Sequence, residues 1–371
     1  MDPSVYEKLF AVFAFILGAV VGSFLNVCIY RMPLGLSVNE PKRSFCPHCK
    51  KQIPWNQNIP LLSWLVLRGR CANCKAPIAF RYFGVELLTA VLFLAAWVKA
   101  WHSAHWELAF PLWIILALMV VATFIDFEHF IIPDEITWGG VGAGILCSLA
   151  FPALMGVDNR LFALLWSVAA AAAGYGTLWL VVELGKKAFG KKRIELEKPE
   201  AFTWTRQGDD ADLATGDETM KWSDLFSRET DVLLMHVTEA RVAEKTYAQG
   251  TLTFYYNRLL VEGDEVELDK LESISGTVTG LVIPREAMGF GDVKFIAAIG
   301  AFLGMRAVFF TIMSGSIIGA IVGVAMIVIG HREWSARIPF GPYLALGAVI
   351  WIFAGSELLN AYWNLVQPGP M

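Results

Sequence analysis

Met288-Gly-Phe-Gly-Asp-Val-Lys294 stands at the mouth of a long apolar run, Phe295 to Gly304. Two glycines, Gly289 and Gly291, bracket one aromatic, and Asp292 and Lys294 follow. A carboxylate beside lipid is costly unless it is partnered or faces water. Glycine frees the backbone and lets another element approach closely. The same pattern also suits a loop whose aspartate caps a helix. What argues for more is Asp126, which ends another apolar stretch, residues 109–125. One carboxylate opens a membrane helix and a second closes one.

The chain of 371 residues is 56% hydrophobic and only 17% charged, and its mean hydropathy is +0.52. That composition describes a mainly α, polytopic membrane protein and excludes an ordinary soluble globule. About eight spans are expected, at residues 9–30, 85–101, 109–125, 137–155, 161–184, 293–305, 307–330 and 339–359. The sixth is the weakest and reads equally as a half-helix running into the seventh. The N-terminal Met1-Asp-Pro-Ser-Val-Tyr-Glu-Lys8 lacks the basic region of a cleaved signal peptide, so the first span is expected to stay. Net charge is -4, unevenly spread. Residues 194–280 hold 19 acidic and 8 basic side chains, whereas the remainder is net basic. Nothing in this pattern suggests a nucleic-acid partner; the partner implied is the lipid bilayer.

Lysine and arginine set the orientation. Residues 31–85 carry Arg31, Lys42, Arg43, Lys50, Lys51, Arg68, Arg70, Lys75 and Arg81. Lys186, Lys187, Lys191, Lys192 and Arg193 follow the fifth span, and Arg332 and Arg337 precede the last. The alternate loops hold little beyond Arg160 and Arg306. The expected topology is N-terminus out and C-terminus out, with the basic loops cytoplasmic. Asp126 and Asp292 then share one depth, the cytoplasmic membrane boundary.

Cys46-Pro-His-Cys49 and Cys71-Ala-Asn-Cys74 lie in the first cytoplasmic loop. Two C-x-x-C turns can aim four thiolates at one tetrahedral ion, which suits a structural zinc. A cytoplasmic loop disfavours disulfides. His48 reads as a surface residue, and Cys28 and Cys147 as packing residues in apolar helices.

Four titratable groups, Asp126, Glu128, His129 and Asp134, follow the third span. Asp134 comes after Pro133 and before a helix, where N-capping is the simplest role. Residues 194–280 form a soluble insert. Its first part, to about residue 230, is polar and reads as partly disordered. Asp231-Val-Leu-Leu-Met-His-Val237, Thr251-Leu-Thr-Phe-Tyr-Tyr256 and Gly276-Thr-Val-Thr-Gly-Leu-Val-Ile283 read as strands. The expected domains are therefore residues 1–30, a first span; 31–84, a zinc-binding loop; 85–190, spans two to five with Asp126; 191–284, the β-rich insert; and 285–371, the last spans with G-x-G-D. No chemistry is legible in Arg337-Ile-Pro-Phe-Gly-Pro-Tyr-Leu-Ala-Leu-Gly347 beyond helix starts and tight packing.

These residues together resemble the prepilin peptidases, bifunctional membrane aspartic proteases of type IV pilus and type II secretion systems. Four blocks carry the resemblance: Gly22-Ser-Phe-Leu-Asn-Val-Cys-Ile-Tyr-Arg31; the paired C-x-x-C with Arg81-Tyr82 and Val85-Glu-Leu-Leu-Thr89; Ile125-Asp-Phe-Glu-His129 with Ile132-Pro-Asp134; and Gly289-Phe-Gly-Asp-Val-Lys294. Phe340-Gly-Pro-Tyr-Leu-Ala-Leu-Gly347 fits as well. The resemblance covers about residues 1–190 and 281–360. It implies catalytic roles for Asp126 and Asp292, with Gly289, Gly291 and Lys294 as supporting motif, and zinc on Cys46, Cys49, Cys71 and Cys74. It implies a bacterial inner-membrane enzyme acting at the cytoplasmic face. The implied substrates are prepilins or pseudopilins with short basic leaders, cut after a glycine. The new N-terminus would then be methylated from S-adenosylmethionine. Two departures stand out: Phe83 occupies a place where the family commonly has proline, and residues 194–280 fill a loop that is usually short.

The implied chemistry is water-mediated amide hydrolysis by two carboxylates holding one proton between them. Which is base and which is acid belongs to the pair. Gly289 and Gly291 would let an extended substrate approach Asp292, and Lys294 would contact headgroups or substrate. Other readings of the same carboxylates are a general intramembrane aspartyl protease, a transporter and an assembly scaffold. The cysteine loop argues against the first. A transporter would favour charges near mid-bilayer and repeated halves. A scaffold would tolerate loss of either aspartate.

Overall fold

The computed structural model describes residues 3–41, 43–208, 210–216, 218–226, 231–284, 288–330 and 338–366. Lys42, Arg332 and Arg337, used above for orientation, lie outside them. The chain forms two compact units, Met1–Trp179 with Gly289–Met371, and Leu180–Met288.

Helix α1 (Pro3–Arg31) leads into the cysteine loop, which holds the short α2 (Leu62–Val66). Then come α3 (Phe80–His102), α4 (Ala109–His129), α5 (Asp134–Ala150) and α6 (Arg160–Phe189). Leu9, Phe13 and Ile16 of α1, and Leu161, Phe162 and Leu165 of α6, are exposed. In water such faces would be a liability; here they are the lipid-facing sides of helices whose backbone groups are satisfied internally. Gly18 and Gly22 bring α1 against α3. A methyl group on either would sit 2.7 Å from the Cα of Ala90 or Glu86, so only the small-xxx-small pattern permits this approach.

The second unit is an antiparallel sheet. Its strands are β1 (Lys191–Gln207), β2 (Asp210–Thr215), β3 (Glu218–Lys221), β4 (Leu233–Val242), β5 (Lys245–Tyr247), β6 (Gly250–Phe254), β7 (Arg258–Val261), β8 (Asp264–Glu267) and β9 (Ser273–Pro284). A single turn, α7 (Trp222–Leu225), follows β3. The strand order is β3-β2-β1-β9-β4-β6-β7-β8, with β5 beside β4. The expected disorder before residue 230 gives way to three strands among the described residues. The reason is a set of aromatic anchors. Phe202, Trp204 and Trp222 are buried, Trp204 meets Trp222 edge-on, and alternate residues of β2 point inward. Large aromatics bury enough area for a mostly polar stretch to order. β1 and β9 pair from Lys191↔Pro284 onward, so the insert begins and ends side by side.

The chain then forms α8 (Phe290–Val328) and α9 (Gly341–Val366). Inside α8, Gly304 adopts φ 79° and ψ 177°, which is not helical. A methyl group on Gly300 would lie 2.9 Å from Val308 Cγ2. Eight residues along a continuous helix would separate them by about 12 Å. The chain therefore doubles back at Gly304, where glycine tolerates a conformation closed to other residues. Among the described residues, six helical stretches are long and apolar enough to cross a membrane: Val5–Leu34, Phe80–His102, Trp106–His129, Arg160–Lys187, Phe290–Val328 and Gly341–Val366. The difference from the expected eight has two sources. The fourth expected span is α5, only 17 residues long, and the sixth and seventh are the two arms of α8.

Candidate active site

Asp126 sits in the last turn of α4 and Asp292 in the first turn of α8. They are 5% and 7% exposed, and they are the buried carboxylates of the membrane unit among the described residues. Local chain geometry puts each in place. Phe130 adopts a left-handed backbone, φ 56°, and its N–H donates to the Asp126 carbonyl at 3.0 Å, ending α4. Positive φ is uncommon for so bulky a residue. It swings the chain so that Ile132 turns back into the bundle, where it is buried. Gly289 opens α8 in extended backbone and accepts the Asp292 N–H at 3.2 Å.

Ile132 links the two carboxylates. A methyl group on Gly291 would lie 3.2 Å from Ile132 Cβ, and one on Gly341 would lie 2.9 Å from Ile132 Cδ1. Gly341, the first residue of α9, donates its N–H to Asp126 Oδ2 at 2.9 Å. Asp292 Oδ1 is buried with no protein partner. The two motif glycines therefore differ. Gly291 is held against Ile132, whereas Gly289 is exposed and a methyl there would meet only Asp292 Oδ2, at 3.6 Å. Gly289 thus lies beside Asp292 Oδ2.

Two ion pairs lie near the dyad. Lys294 Nζ is 2.6 Å from Asp134 Oδ1, and Arg81 pairs with both carboxylate oxygens of Glu128. This corrects the capping role expected for Asp134. Pro133 is the N-cap of α5 without a side-chain cap, and Asp134 belongs to the first turn and takes Lys294. Lys294 also lies 5.6 Å over the Phe290 ring. An exposed pair of this kind is worth about 0–1 kcal/mol.

The four loop cysteines converge. Their sulfur atoms lie within 4.8 Å of one another, and Cys46 and Cys74 are 3.8 Å apart. Four thiolates around a tetrahedral zinc at about 2.3 Å sit about 3.8 Å apart. Each C-x-x-C is a matched turn. Lys50 N–H donates to the Cys46 carbonyl and Lys75 N–H to that of Cys71, with both lysines at positive φ. Amides of Cys74 and Asn73 hold the Cys71 thiol down to about 6. The Ala76 amide lowers the Cys74 thiol, but desolvation and hydrogen bonds with Cys71, Cys46 and Cys49 outweigh it and raise that thiol to about 11. One thiolate forms readily and the next is resisted, a conflict that a divalent cation removes. His48 is exposed and outside the group, as expected.

A cavity of about 340 Å³ opens between the C-terminal end of α1, the cysteine loop and the start of α3. Tyr30, Phe45, Trp64 and Phe83 form aromatic walls. Asn26 donates to the Tyr82 carbonyl at 3.0 Å, yet its Oδ1 is buried with no partner. Glu86, half-buried, accepts the Leu61 N–H at 2.7 Å. The cavity thus offers acceptors to a ligand that brings donors or positive charge.

Comparison with known proteins gives the family. The profile of the Bacterial Peptidase A24 N-terminal domain matches residues 16–100, and that of the Type IV leader peptidase family matches residues 113–194 and 250–324. A prepilin leader peptidase/N-methyltransferase of Myxococcus xanthus is 44% identical over 192 residues, which is 52% of this chain and 54% of that protein. One of Aeromonas hydrophila is 29% identical over 378 residues, covering 94% and 92%. A type 4 prepilin-like proteins leader peptide-processing enzyme of Escherichia coli is 35% identical over 203 residues, 50% of this chain and 73% of that protein. The chain belongs to the type IV leader peptidase family. No solved structure gave a significant match.

Within this family member, sequence reasoning missed Gly341 and Ile132. Gly341 acts through a backbone amide, which no side-chain pattern reveals. The Ile-Pro-Asp run was visible, but attention went to its aspartate rather than its isoleucine.

The metal assignment has a direct check. Protein purified without chelators is expected to carry one zinc per chain by elemental analysis. Cys71→Ser should lose the metal and make residues 31–79 more sensitive to protease, because one missing thiolate opens a closed tetrahedral site. Zinc-free protein with an equally resistant loop would remove the assignment.

Proposed function

We propose that this protein is a membrane aspartic endopeptidase that removes the leader peptides of prepilins or pseudopilins and then N-methylates the new N-terminus. The single observation that carries the peptidase reading is the buried pair Asp126 and Asp292. They stand at two helix ends, tied through Ile132, with a vacant hydrogen-bonding position on Asp292 Oδ1. The ionised member of the pair takes a proton from water as its oxygen attacks the scissile carbonyl carbon. The protonated member gives its proton to the carbonyl oxygen. As the tetrahedral intermediate collapses, the C–N bond breaks, the leaving amine takes a proton from the pair, and one hydroxyl of the intermediate returns its proton to the other carboxylate. Gly289 gives an extended substrate backbone room beside Asp292. Lys294 and Asp134 brace α8 against α5.

Asp126→Asn and Asp292→Asn should each abolish cleavage of a prepilin while the protein still inserts and folds. An amide keeps the size but cannot ionise. Because the two act as one unit, the double variant should be no worse than either single. Asp134→Asn breaks only an exposed ion pair and should cleave at near wild-type rate. Mass spectrometry of both products decides. Normal cleavage by either dyad variant would sink the mechanism.

The protein is placed in the bacterial inner membrane with eight crossings, the two arms of α8 and the short α5 each counting as one. The dyad then lies at the cytoplasmic face, where a substrate helix can stay in the bilayer while its leader is cut. Reporter fusions after Gln57 and Tyr247 should be cytoplasmic, and one after Gly304 should be outside. A cytoplasmic signal after Gly304 would refute the hairpin crossing.

The cavity beside the cysteine loop is assigned to the methyl donor. S-Adenosylmethionine, when bound, supplies a methyl group on a positively charged sulfur. The aromatic walls suit a planar base and a cation, while Asn26 Oδ1 and Glu86 suit amino donors. Zinc on the four cysteines would hold one wall of this cavity, since Cys46 and Cys71 line it. Calorimetry with S-adenosylmethionine should show binding that Asn26→Ala and Glu86→Gln each weaken about tenfold, or ~1.4 kcal/mol. Unchanged affinity in both variants would remove the site from this cavity.

A further inference from the structure

The last helix packs its own backbone on α8. A methyl group on Gly315 would lie 3.0 Å from the Tyr343 carbonyl oxygen, and one on Gly347 3.0 Å from that of Thr311. This fixes the start of α9. There, Gly341 is buried and aims its N–H at Asp126 Oδ2. The space of its missing Cβ is filled, because a methyl would stand 2.7 Å from that same oxygen and 2.9 Å from Ile132 Cδ1. A flexible side chain could yield at such distances. A buried carboxylate, already held by the amide it would collide with, has little room to do so.

We propose that Gly341 is a positioning residue of the site. Its amide holds one oxygen of Asp126 and leaves Oδ1 for the reaction, and only glycine fits because the carboxylate occupies the place of its side chain. The proposal rests on the reading of Asp126 as catalytic. It adds that α9, which brings no acidic side chain to the dyad, sets the dyad's geometry. Asp126 on α4 is bonded to α9, and α9 is packed on the second arm of α8. The first arm carries Asp292, so one backbone amide joins the frames of both carboxylates.

The test uses the full-length detergent-solubilised enzyme. With a prepilin substrate, Gly341→Ala should lower kcat about a hundredfold, the cost of a ~1 Å misplacement, with KM unchanged. Adding Ile132→Ala removes the contact to Ile132 Cδ1 but leaves the collision with Asp126, so activity should stay low. Recovery in that double variant, or full activity of Gly341→Ala alone, would overturn the proposal. A second readout holds even where Gly341→Ala folds poorly. Melting temperatures of wild type, Gly341→Ala, Asp126→Ala and the Asp126→Ala/Gly341→Ala double variant form a cycle. The methyl should cost much less stability once the carboxylate is gone, and the double variant should fold. An equal loss in both backgrounds overturns the proposal. Cleavage retained by Asp126→Ala would instead overturn the dyad and leave the stability cycle to stand by itself.

Discussion

A carboxylate held out of water must find a hydrogen-bond donor, a cation or a proton, and this bundle buries two such groups on either side of Ile132. The neighbouring cations are engaged elsewhere: Lys294 is turned to Asp134 and Arg81 to Glu128. Asp126 has a backbone amide and Asp292 has an oxygen with no partner. A fold meeting that constraint must bring three helix ends, from α4, α8 and α9, to one point. Much of the close packing serves it. Gly291 lets Ile132 fill the space between the ends, and the glycines of α8 and α9 lock those helices together.

The four-cysteine loop and the adjoining cavity obey a different logic. There the scaffold is a loop, too short to bury a core of its own, and four thiolates converge in its place. The aromatic cavity between that loop and α1 and α3 exists because Gly18 and Gly22 draw those two helices together while the loop folds over their ends. The proposed sites of peptide cleavage and methyl transfer thus lie on separate parts of one membrane unit, one on helix ends and one under the cysteine loop.

Much of this was legible in the sequence. The cysteine pairs announced their convergence, because C-x-x-C is a local geometry that needs little from the rest of the chain. That Asp126 and Asp292 belong together was expected from lysine and arginine in the loops, and the structure brings both against Ile132. What escaped notice was set by distant partners. Asp134 looks like a helix cap until Lys294 arrives, 160 residues later. Gly341 looks like a helix start until its amide meets Asp126, 215 residues away. The early insert looked too polar to order, because Phe202, Trp204 and Trp222 are spaced singly and only a sheet gathers them. The span count depended on Gly304, whose conformation one glycine among 32 does not advertise.

The reversal at Gly304 bears on the bilayer itself. The arm of α8 that carries Asp292, residues 290–303, is about 21 Å long, against a hydrocarbon core of about 30 Å. α5, packed against it where Gly144 meets Ala301, is also short. Residues 295–302 of the α8 arm are buried in the protein, so no lipid tail has to match it. A short arm enclosed in this way can end where the chemistry needs it rather than where the bilayer does. One glycine thus frees the carboxylate from the length that lipid imposes on an exposed span.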